Sequence, residues 1–434
     1  MNLLTVVALA MVLLIVAAPF QKRVPLWLVM MLVPIAAALV LGYPVADISA
    51  SLTKTMNSTM VSAGYLMFFA LIYFTMLTET GMFETIVNAV LKPFGGRMNV
   101  IILLVLTTAL SLLCAVTAQI SITYLILFPL LLPLYKRFGL NREYAFILCQ
   151  TALAVMMWLP WSPAIVNVSV VLGCDAMELS AAASRVAVCM APGIVFQWVY
   201  MAWRHKKENG TWGLTPAAAG EQAGEQKENP LARPKLFWIN FLVFLVLMAG
   251  LIGFSLPPYL VFIAGCAYMI IFVYPNDFGP MVAKAGKTYV NLFTFMMAMS
   301  IYLAVFTDTG MNNAIGELLT SLFPGFLTRY MHIILLAVCV VCVRYVPNRV
   351  FTLLYPVLVA IGAQFGFSGM AMIAPFIINL TLATGSTPLN PPNFLACSLL
   401  EVDSTHYFST AVKIQSITNL IAIAAAVVMG VMPL

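Results

Sequence analysis

The chain has 434 residues, of which 63% are hydrophobic and only 8% charged. A soluble domain averages about 45–50% apolar and about 25% charged, so composition argues against a soluble enzyme. The net charge of +6 does not point to nucleic acid, because the basic residues sit in short loops between apolar runs. That is the loop pattern of a membrane protein.

A spanning helix needs about 20 apolar residues. Apolar stretches lie near 3–19, 24–43, 60–79, 99–115, 120–135, 144–173 and 186–203. A second series follows near 236–254, 258–274, 289–307, 331–343, 350–365, 369–385 and 409–431. Several are too short, or too broken by Pro and polar residues, to span simply. The pattern predicts an all-α polytopic membrane protein. A signal peptide carries its positive charge before its apolar region. Here Lys22 and Arg23 follow the first stretch, so this helix is expected to stay, with its following loop cytoplasmic.

The segment from Arg204 to Lys235 is polar and rich in Gly, Pro, Ala, Gln and Glu. It reads as a largely unstructured cytoplasmic linker. It separates a first transmembrane repeat with its N-terminal helix (1–203) from a second (236–434). Thr78-Glu79-Thr80-Gly81-Met82 matches Thr307-Asp308-Thr309-Gly310-Met311 at an offset of 229. Phe138-Gly139-Leu140 and Pro129 match Phe365-Gly366-Phe367 and Pro356 at 227. Pro160-Trp161-Ser162-Pro163 matches Pro388-Leu389-Asn390-Pro391 at 228, and Asp175 then falls on Asp403. Four markers in one order at nearly constant spacing indicate an internal repeat.

Orientation follows from Lys and Arg. Loops at 20–23, 92–97, 136–142, 204–235 and 284–287, with the segment near 413, hold 16 of the 21 basic residues. If these are cytoplasmic, 99–135 enters and leaves on one side and 331–363 does so from the other. The two repeats are then inverted, the layout of many secondary transporters.

Each half is expected to break twice at membrane depth. The hairpin breaks are 115–121 and 343–349. The Pro-broken helices are centred on 159–163 and 384–393. Broken backbone is tolerated in a bilayer only where protein or a water-filled cavity satisfies it. Half-helix N-termini facing such a cavity bind anions, and unwound carbonyls hold Na⁺. The bland alternative is an ordinary proline kink. A double Pro repeated at corresponding positions, with Ser, Thr and Asn around it, favours a substrate or ion site.

Arg344 and Arg349 lie in the second hairpin. An Arg in the apolar zone costs at least about 2.5 kcal/mol and usually faces a partner or a cavity. The guanidinium fork matches carboxylate or phosphate, so one or both arginines are expected to neutralise an anionic substrate. The competing reading is that they cap hairpin carbonyls or snorkel. Thr117, Gln119 and Ser121 would line the opposing hairpin. Ser162, Asn167, Ser386, Thr387, Asn390 and Asn393 would add hydroxyl, amide and backbone contacts.

The acidic residues are few. Glu79 and Asp308 correspond and read as solvated interfacial groups, with proton carriage as the alternative. Asp175 and Asp403 are placed to cap the helices that follow them. His406 reads as an exposed loop histidine, with proton relay as the alternative. Cys339-x-x-Cys342 reads as helix packing; no metal site and no cofactor are expected. The chain has no H-E-x-x-H, Walker A loop or G-x-S-x-G. It is therefore not expected to be an enzyme, and transport must draw on an ion gradient or the substrate's own.

Three stretches carry a family resemblance: Phe68–Phe83 (FFALIYFTMLTETGMF), Thr123–Arg142 (TYLILFPLLLPLYKRFGLNR) and Leu159–Asp175 (LPWSPAIVNVSVVLGCD). Residues 384–403 look like their second-half counterpart. The chain resembles the citrate–metal:proton symporter (CitMHS-type) family of the ion transporter superfamily. The resemblance implies two inverted repeats with re-entrant hairpins, a dimeric scaffold, elevator movement and carboxylate substrates such as citrate. The chain departs from the family pattern at both hairpins. Thr117, Ala118, Gln119 and Ile120 fall where D-G-D-G would be, and Asn348 stands where an Asp is common, followed by Arg349. Acidic groups for a divalent metal are replaced, which suits a free anion better than a metal complex.

Together these features predict a symporter for a small di- or tricarboxylate, coupled to H⁺ or Na⁺. The alternatives are a passive channel, a non-transporting sensor, or a cation/proton antiporter of the same superfamily. Its partners would be the organic anion, the lipid bilayer and a second copy in a homodimer, with no nucleic acid. The bacterial inner membrane is the expected location.

Overall fold

The computed structural model describes residues 3–18, 24–92, 98–210, 212, 230–252, 256–322, 325–346 and 348–434. Lys22, Arg23, Pro347 and most of the expected linker lie outside the described residues. Among those described there is no strand, and six helices are long and apolar enough to cross a membrane. The bent pair at residues 65–90, with an angle of 57°, adds a seventh. The protein is an integral, multi-pass, all-α membrane protein.

The first series opens with α1 (Leu3–Ala17) and α2 (Leu26–Val40). Next, α3 (Val45–Thr59) passes through a π-helical turn at Met60–Gly64 into α4 (Tyr65–Glu79), and α5 (Met82–Leu91) follows. A hairpin of α6 (Val100–Cys114) and α7 (Ile120–Arg137) comes next. The Pro-broken pair is α8 (Arg142–Met156) and α9 (Pro163–Leu172). The series closes with α10 (Ala176–Val188) and α11 (Ala191–Asn209). Apolar run 144–173 is thus two helices, split where Pro160 and Pro163 remove backbone donors.

The second series opens with α12 (Phe237–Ile252), α13 (Pro258–Tyr268) and the long α14 (Phe278–Asp308). Then come α15 (Met311–Leu322), the short α16 (Gly325–Arg329) and the hairpin α17 (Met331–Val343) and α18 (Arg349–Gln364). The second broken pair is α19 (Gly369–Thr384) and α20 (Pro391–Leu400), before α21 (Ser404–Val428).

At 31 residues α14 is about 46 Å long at 1.5 Å per residue, more than a hydrocarbon core of about 30 Å. It packs along α2, α3 and α4. Its ends are tied in opposite senses. Lys284 near its start pairs with Glu79 at the end of α4 (2.8 Å), and Asp308 at its end accepts from Ser51 of α3. The two acids expected as solvated interfacial groups, Asp308 exposed and Glu79 half-buried, also clasp an antiparallel helix pair.

Helix α11 runs into the expected linker as far as Asn209, with Arg204 and Glu208 paired one turn apart (2.6 Å) and Gly210 closing it. Arg233, at the far end of that linker, pairs with Asp277 (3.0 Å). Asp175 and Asp403 cap α10 and α21 by accepting from the amides of Met177 and His406, each at 2.7 Å. His406 is consequently in the first turn of a helix, not in a loop, and its ring meets the Glu143 carboxylate. Cys339 is buried and contacts the Asn379 carbonyl across helices (3.8 Å), the packing role expected for it.

Gly81 and Gly310 both adopt φ +75°. A side chain there would be strained whatever the space around it. Gly310→Ala, whose added Cβ would meet nothing within 4 Å, is expected to cost about 1–2 kcal/mol from backbone alone. Gly279→Ala, equally open but helical, should be neutral or stabilising by up to about 1 kcal/mol. Thermal unfolding of the two variants in detergent checks the difference.

Candidate substrate-binding site

The first hairpin turns through a short 3₁₀ segment at Ala115–Thr117 and then Ala118, which sits at φ +53°. A non-glycine residue there is uncommon and strained. The turn is held from within: Thr117 Oγ1 donates to the Cys114 carbonyl (3.2 Å) and accepts from the Gln119 amide (3.3 Å). It is held from outside by Trp161, whose Nε1 donates to the Val116 carbonyl (2.8 Å). Trp161 belongs to the first Pro-broken segment, so this contact joins the hairpin turn to the break. Gln119 precedes α7, and its Nε2 is buried with no hydrogen-bond partner. Ser121 is half-buried two residues further on.

At the break itself, Ser162 is buried and caps α9. Its Oγ accepts from the Ile165 amide (3.1 Å) and donates to the Met157 carbonyl (2.6 Å). Pro163 follows at the first helical position, where its missing N–H costs nothing. Asn167 lies half-buried one turn into α9.

The second break is stapled by amides. Asn393 is fully buried, and its Nδ2 donates to the carbonyls of Thr384 and Thr387, both at 2.8 Å. Asn390 adds longer contacts to the Thr384 carbonyl (3.5 Å) and to Asn393 (3.4 Å). Ser386 donates to the Ala383 carbonyl (2.9 Å), and Thr387 Oγ1 accepts from the Leu389 amide (3.1 Å). Tyr407 donates to the Gly385 carbonyl (2.9 Å). The carbonyls freed by the break are thus answered one by one.

A residue absent from the expected set links these parts. Gln150 of α8 is buried, accepts from the Tyr124 hydroxyl of α7, and donates to the Thr381 carbonyl (2.8 Å) and Thr384 Oγ1 (3.3 Å) of α19. It bridges the first hairpin to the second break. Gln197 similarly holds Thr151 and Thr418 (2.9 Å each), and Asn379 holds Asn419 (2.8 Å), which reaches the Leu336 carbonyl (2.7 Å). Isolated amides inside apolar runs were the available signal, because such groups are costly unless partnered.

The two arginines lie elsewhere. Arg344 donates to the Phe408 carbonyl of α21 (2.7 Å). Arg349 is exposed and stands over the Phe295 ring of α14, 4.8 Å from its centroid. Among the described residues no hydrogen bond joins either to Thr117, Gln119, Ser121 or the polar side chains of the two breaks. Neither has a carboxylate within ion-pair distance among those residues.

Beyond the second break, Glu401 pairs with Lys136 (3.0 Å) and Arg142 (2.9 Å), fastening the end of α20 to the far end of the first hairpin. The hydrogen bond from Lys136, reinforced by the charges of Lys136 and Arg142, holds the Glu401 carboxyl below its ordinary range.

Comparison with known proteins follows the same outline. The CitMHS family model, "Citrate transporter", matches residues 4–282. The model for the DctM component of tripartite ATP-independent periplasmic transporters matches residues 145–432. Two Bacillus subtilis (strain 168) proteins align with 99% of this chain and 99% of their own. One is a citrate transporter, 23% identical over 433 residues, and the other a Mg(2+)/citrate complex secondary transporter, 23% identical over 431. The crystal structure of the Alcanivorax borkumensis YdaH transporter matches over 100% of both chains with a TM-score of 0.57 at 13% identity. At that identity the likeness speaks for the fold alone.

Asn393→Ala leaves the Thr387 carbonyl unanswered and the Thr384 carbonyl with only the 3.5 Å contact from Asn390; it should cost about 1–3 kcal/mol, read by thermal unfolding, and abolish substrate uptake. The Glu401 clasp has a pH signature. Because its folded pKa is depressed, its contribution is present above the unfolded value of about 4.3 and is lost as pH falls through the folded value. Unfolding temperatures of the parent and Glu401→Gln should therefore differ at pH 7 and converge on acidification. A difference that persists unchanged into acid would refute the clasp.

Proposed function

The chain belongs to the citrate transporter family, and from that premise we propose that it is a symporter of free di- or tricarboxylate, driven by H⁺ or Na⁺. As a member of that family it is a secondary transporter of citrate-type substrates, not an enzyme. The finer reading rests on one observation: the second hairpin carries two guanidiniums that are held in place but not neutralised. Arg344 spends one of its five donors on Phe408. Arg349 is steadied by Phe295 through a cation–π contact. An arriving carboxylate supplies the missing charge, in the bidentate geometry guanidinium favours. The open Gln119 amide at the first hairpin offers a second donor, since a buried unpaired N–H is costly until filled.

In this reading Thr117 and Ser162 shape the turns that present the site. Ser121, Asn167, Ser386, Thr387, Asn390 and Asn393 build its walls and hold its backbone. Residues 1–203 and 236–434 act as two inverted repeats joined by a linker. Elevator movement carries the hairpins and broken helices past the frame of α3, α4 and α14, in a homodimer of the bacterial plasma membrane. Replacement of the acidic hairpin pattern by Gln119, Asn348 and Arg349 favours the anion without its metal.

The test is uptake of radiolabelled citrate by proteoliposomes under imposed H⁺ or Na⁺ gradients, with and without Mg²⁺. We expect accumulation of the free anion that Mg²⁺ suppresses. Arg344→Gln and Arg349→Gln should each lower uptake at subsaturating citrate on the order of 10–100-fold, the scale of one charge-assisted contact. Uptake that needs Mg²⁺ and survives both substitutions overturns the free-anion site. Equilibration without accumulation overturns symport.

A further inference from the structure

Helix α3 is unlike the spanning helices around it. Its sequence, VADISASLTKTMNST, is largely polar. Asp47, Thr53, Lys54, Asn57 and Ser58 are exposed along it. Yet it continues through the π-helical turn at Met60–Gly64 into the apolar, buried α4. A polar face in line with a spanning helix cannot face acyl chains; it must face water or protein. The exposed polar side chains of α3 are therefore turned to water.

A cleft of about 190 Å³ opens between α3, α9 and α14, room for several water molecules. Lys54, Thr55 and Ser58 of α3 line it, with Ser169 and Gly173 at the end of α9 and Leu303 of α14. No carboxylate lines it. Ser169 Oγ donates to the Val166 carbonyl (2.9 Å). Thr55 and Ser58 make no side-chain hydrogen bond among the described residues. The cleft thus offers an ammonium and two hydroxyls, all potential donors.

The internal repeat sharpens the point. Glu79 and Asp308 are equivalent, ending α4 and α14. At one end Glu79 is paired with Lys284 of α14 (2.8 Å). Stepping back 229 residues from Lys284 gives Thr55, next to Lys54. At that end, however, Asp308 is engaged by Ser51, and Lys54 has no acidic partner among the described residues. One end of the helix pair is a closed ion pair, and the other has a cation left over beside a cleft. π-Helical turns of the kind just below it recur at functional sites.

We propose that this cleft is a carboxylate-binding site on the substrate's route, with Lys54 as its countercharge and Thr55 and Ser58 as hydroxyl donors. It rests on the carboxylate-transport reading for the identity of the ligand. A lysine suits a station that captures and releases: its ammonium is a compact, strongly hydrated charge on a flexible stem, without the geometric grip of arginine. A cation in a recess walled by protein also raises the local anion concentration. The site lies between the C-terminal end of α9 and the long helices α3 and α14, so an anion held there is about two to three turns along α9 from the first break.

The experiment uses the full chain in proteoliposomes with Ser58→Cys as reporter. Cys174→Ser removes the neighbouring half-buried thiol, and the Cys174→Ser protein alone gives the blank. Citrate should slow modification of the Ser58→Cys thiol by a membrane-impermeant methanethiosulfonate, at concentrations where chloride of equal ionic strength does not. Adding Lys54→Gln should remove that protection. In transport, Lys54→Gln should raise KM for citrate about tenfold, the loss of one charge-assisted contact, with kcat within about twofold, the pattern of lost binding alone. Lys54→Arg should recover part of it. A modification rate indifferent to citrate, in proteoliposomes that accumulate citrate, overturns the site. Citrate protection without citrate accumulation supports the site and overturns the transport reading instead.

Discussion

The structure depends on how freed backbone groups are answered where helices break inside an apolar body. A carbonyl without a partner has no water to turn to there. The two breaks solve this with the same economy and different residues. In the first, the Ser162 hydroxyl accepts and donates within its own turn, and Trp161 reaches the neighbouring hairpin. In the second, the Asn393 amide takes two carbonyls and Tyr407 takes a third. Once these groups are satisfied, the turns are fixed, and Gln119 beside the first turn keeps a buried amide nitrogen without a partner.

Around these turns the protein is built from long, tied helices. The α3–α4 helix and α14 lie antiparallel and are clasped near both ends, by Lys284–Glu79 and by Ser51–Asp308. Two buried amides, Gln150 and Gln197, cross between helices of the first and second series. Such crossings specify register, because a buried amide displaced by one turn loses its partners at a cost of about 1–3 kcal/mol. The broken helices are therefore positioned by polar contacts within an apolar body whose packing alone has little directional preference.

Charge is distributed sparingly, and its placement carries the chemical reading. Acids mostly lie at helix ends, where they cap or clasp. Arg344 and Arg349 of the second hairpin and Lys54 beside the cleft have no acid within ion-pair distance among the described residues. A transporter of organic anions has reason to keep cations open in this way, and a family relationship to citrate transporters supplies the substrate class that fits them.

Much of this was legible in the sequence. Composition required a membrane protein. The repeated T-[ED]-T-G-M and P-x-x-P markers pointed to helix ends at Gly81 and Gly310 and to breaks centred on 159–163 and 384–393. Asp175 and Asp403 read as caps because a cap is a local interaction between a side chain and an amide two or three residues away. Other features needed the tertiary structure. Gln150, Gln197 and Asn379 bind partners tens to hundreds of residues distant, and nothing in their own neighbourhoods names those partners. The same holds for Arg344, which meets Phe408, and for Asp308, which meets Ser51 across 257 positions of chain. Sequence alone marked the Pro-broken segments and the glycine-closed helix ends, because proline and glycine act on their own residue. Only the fold decided which side chains answer those breaks and which cations stay open, because that is set by which helices lie side by side.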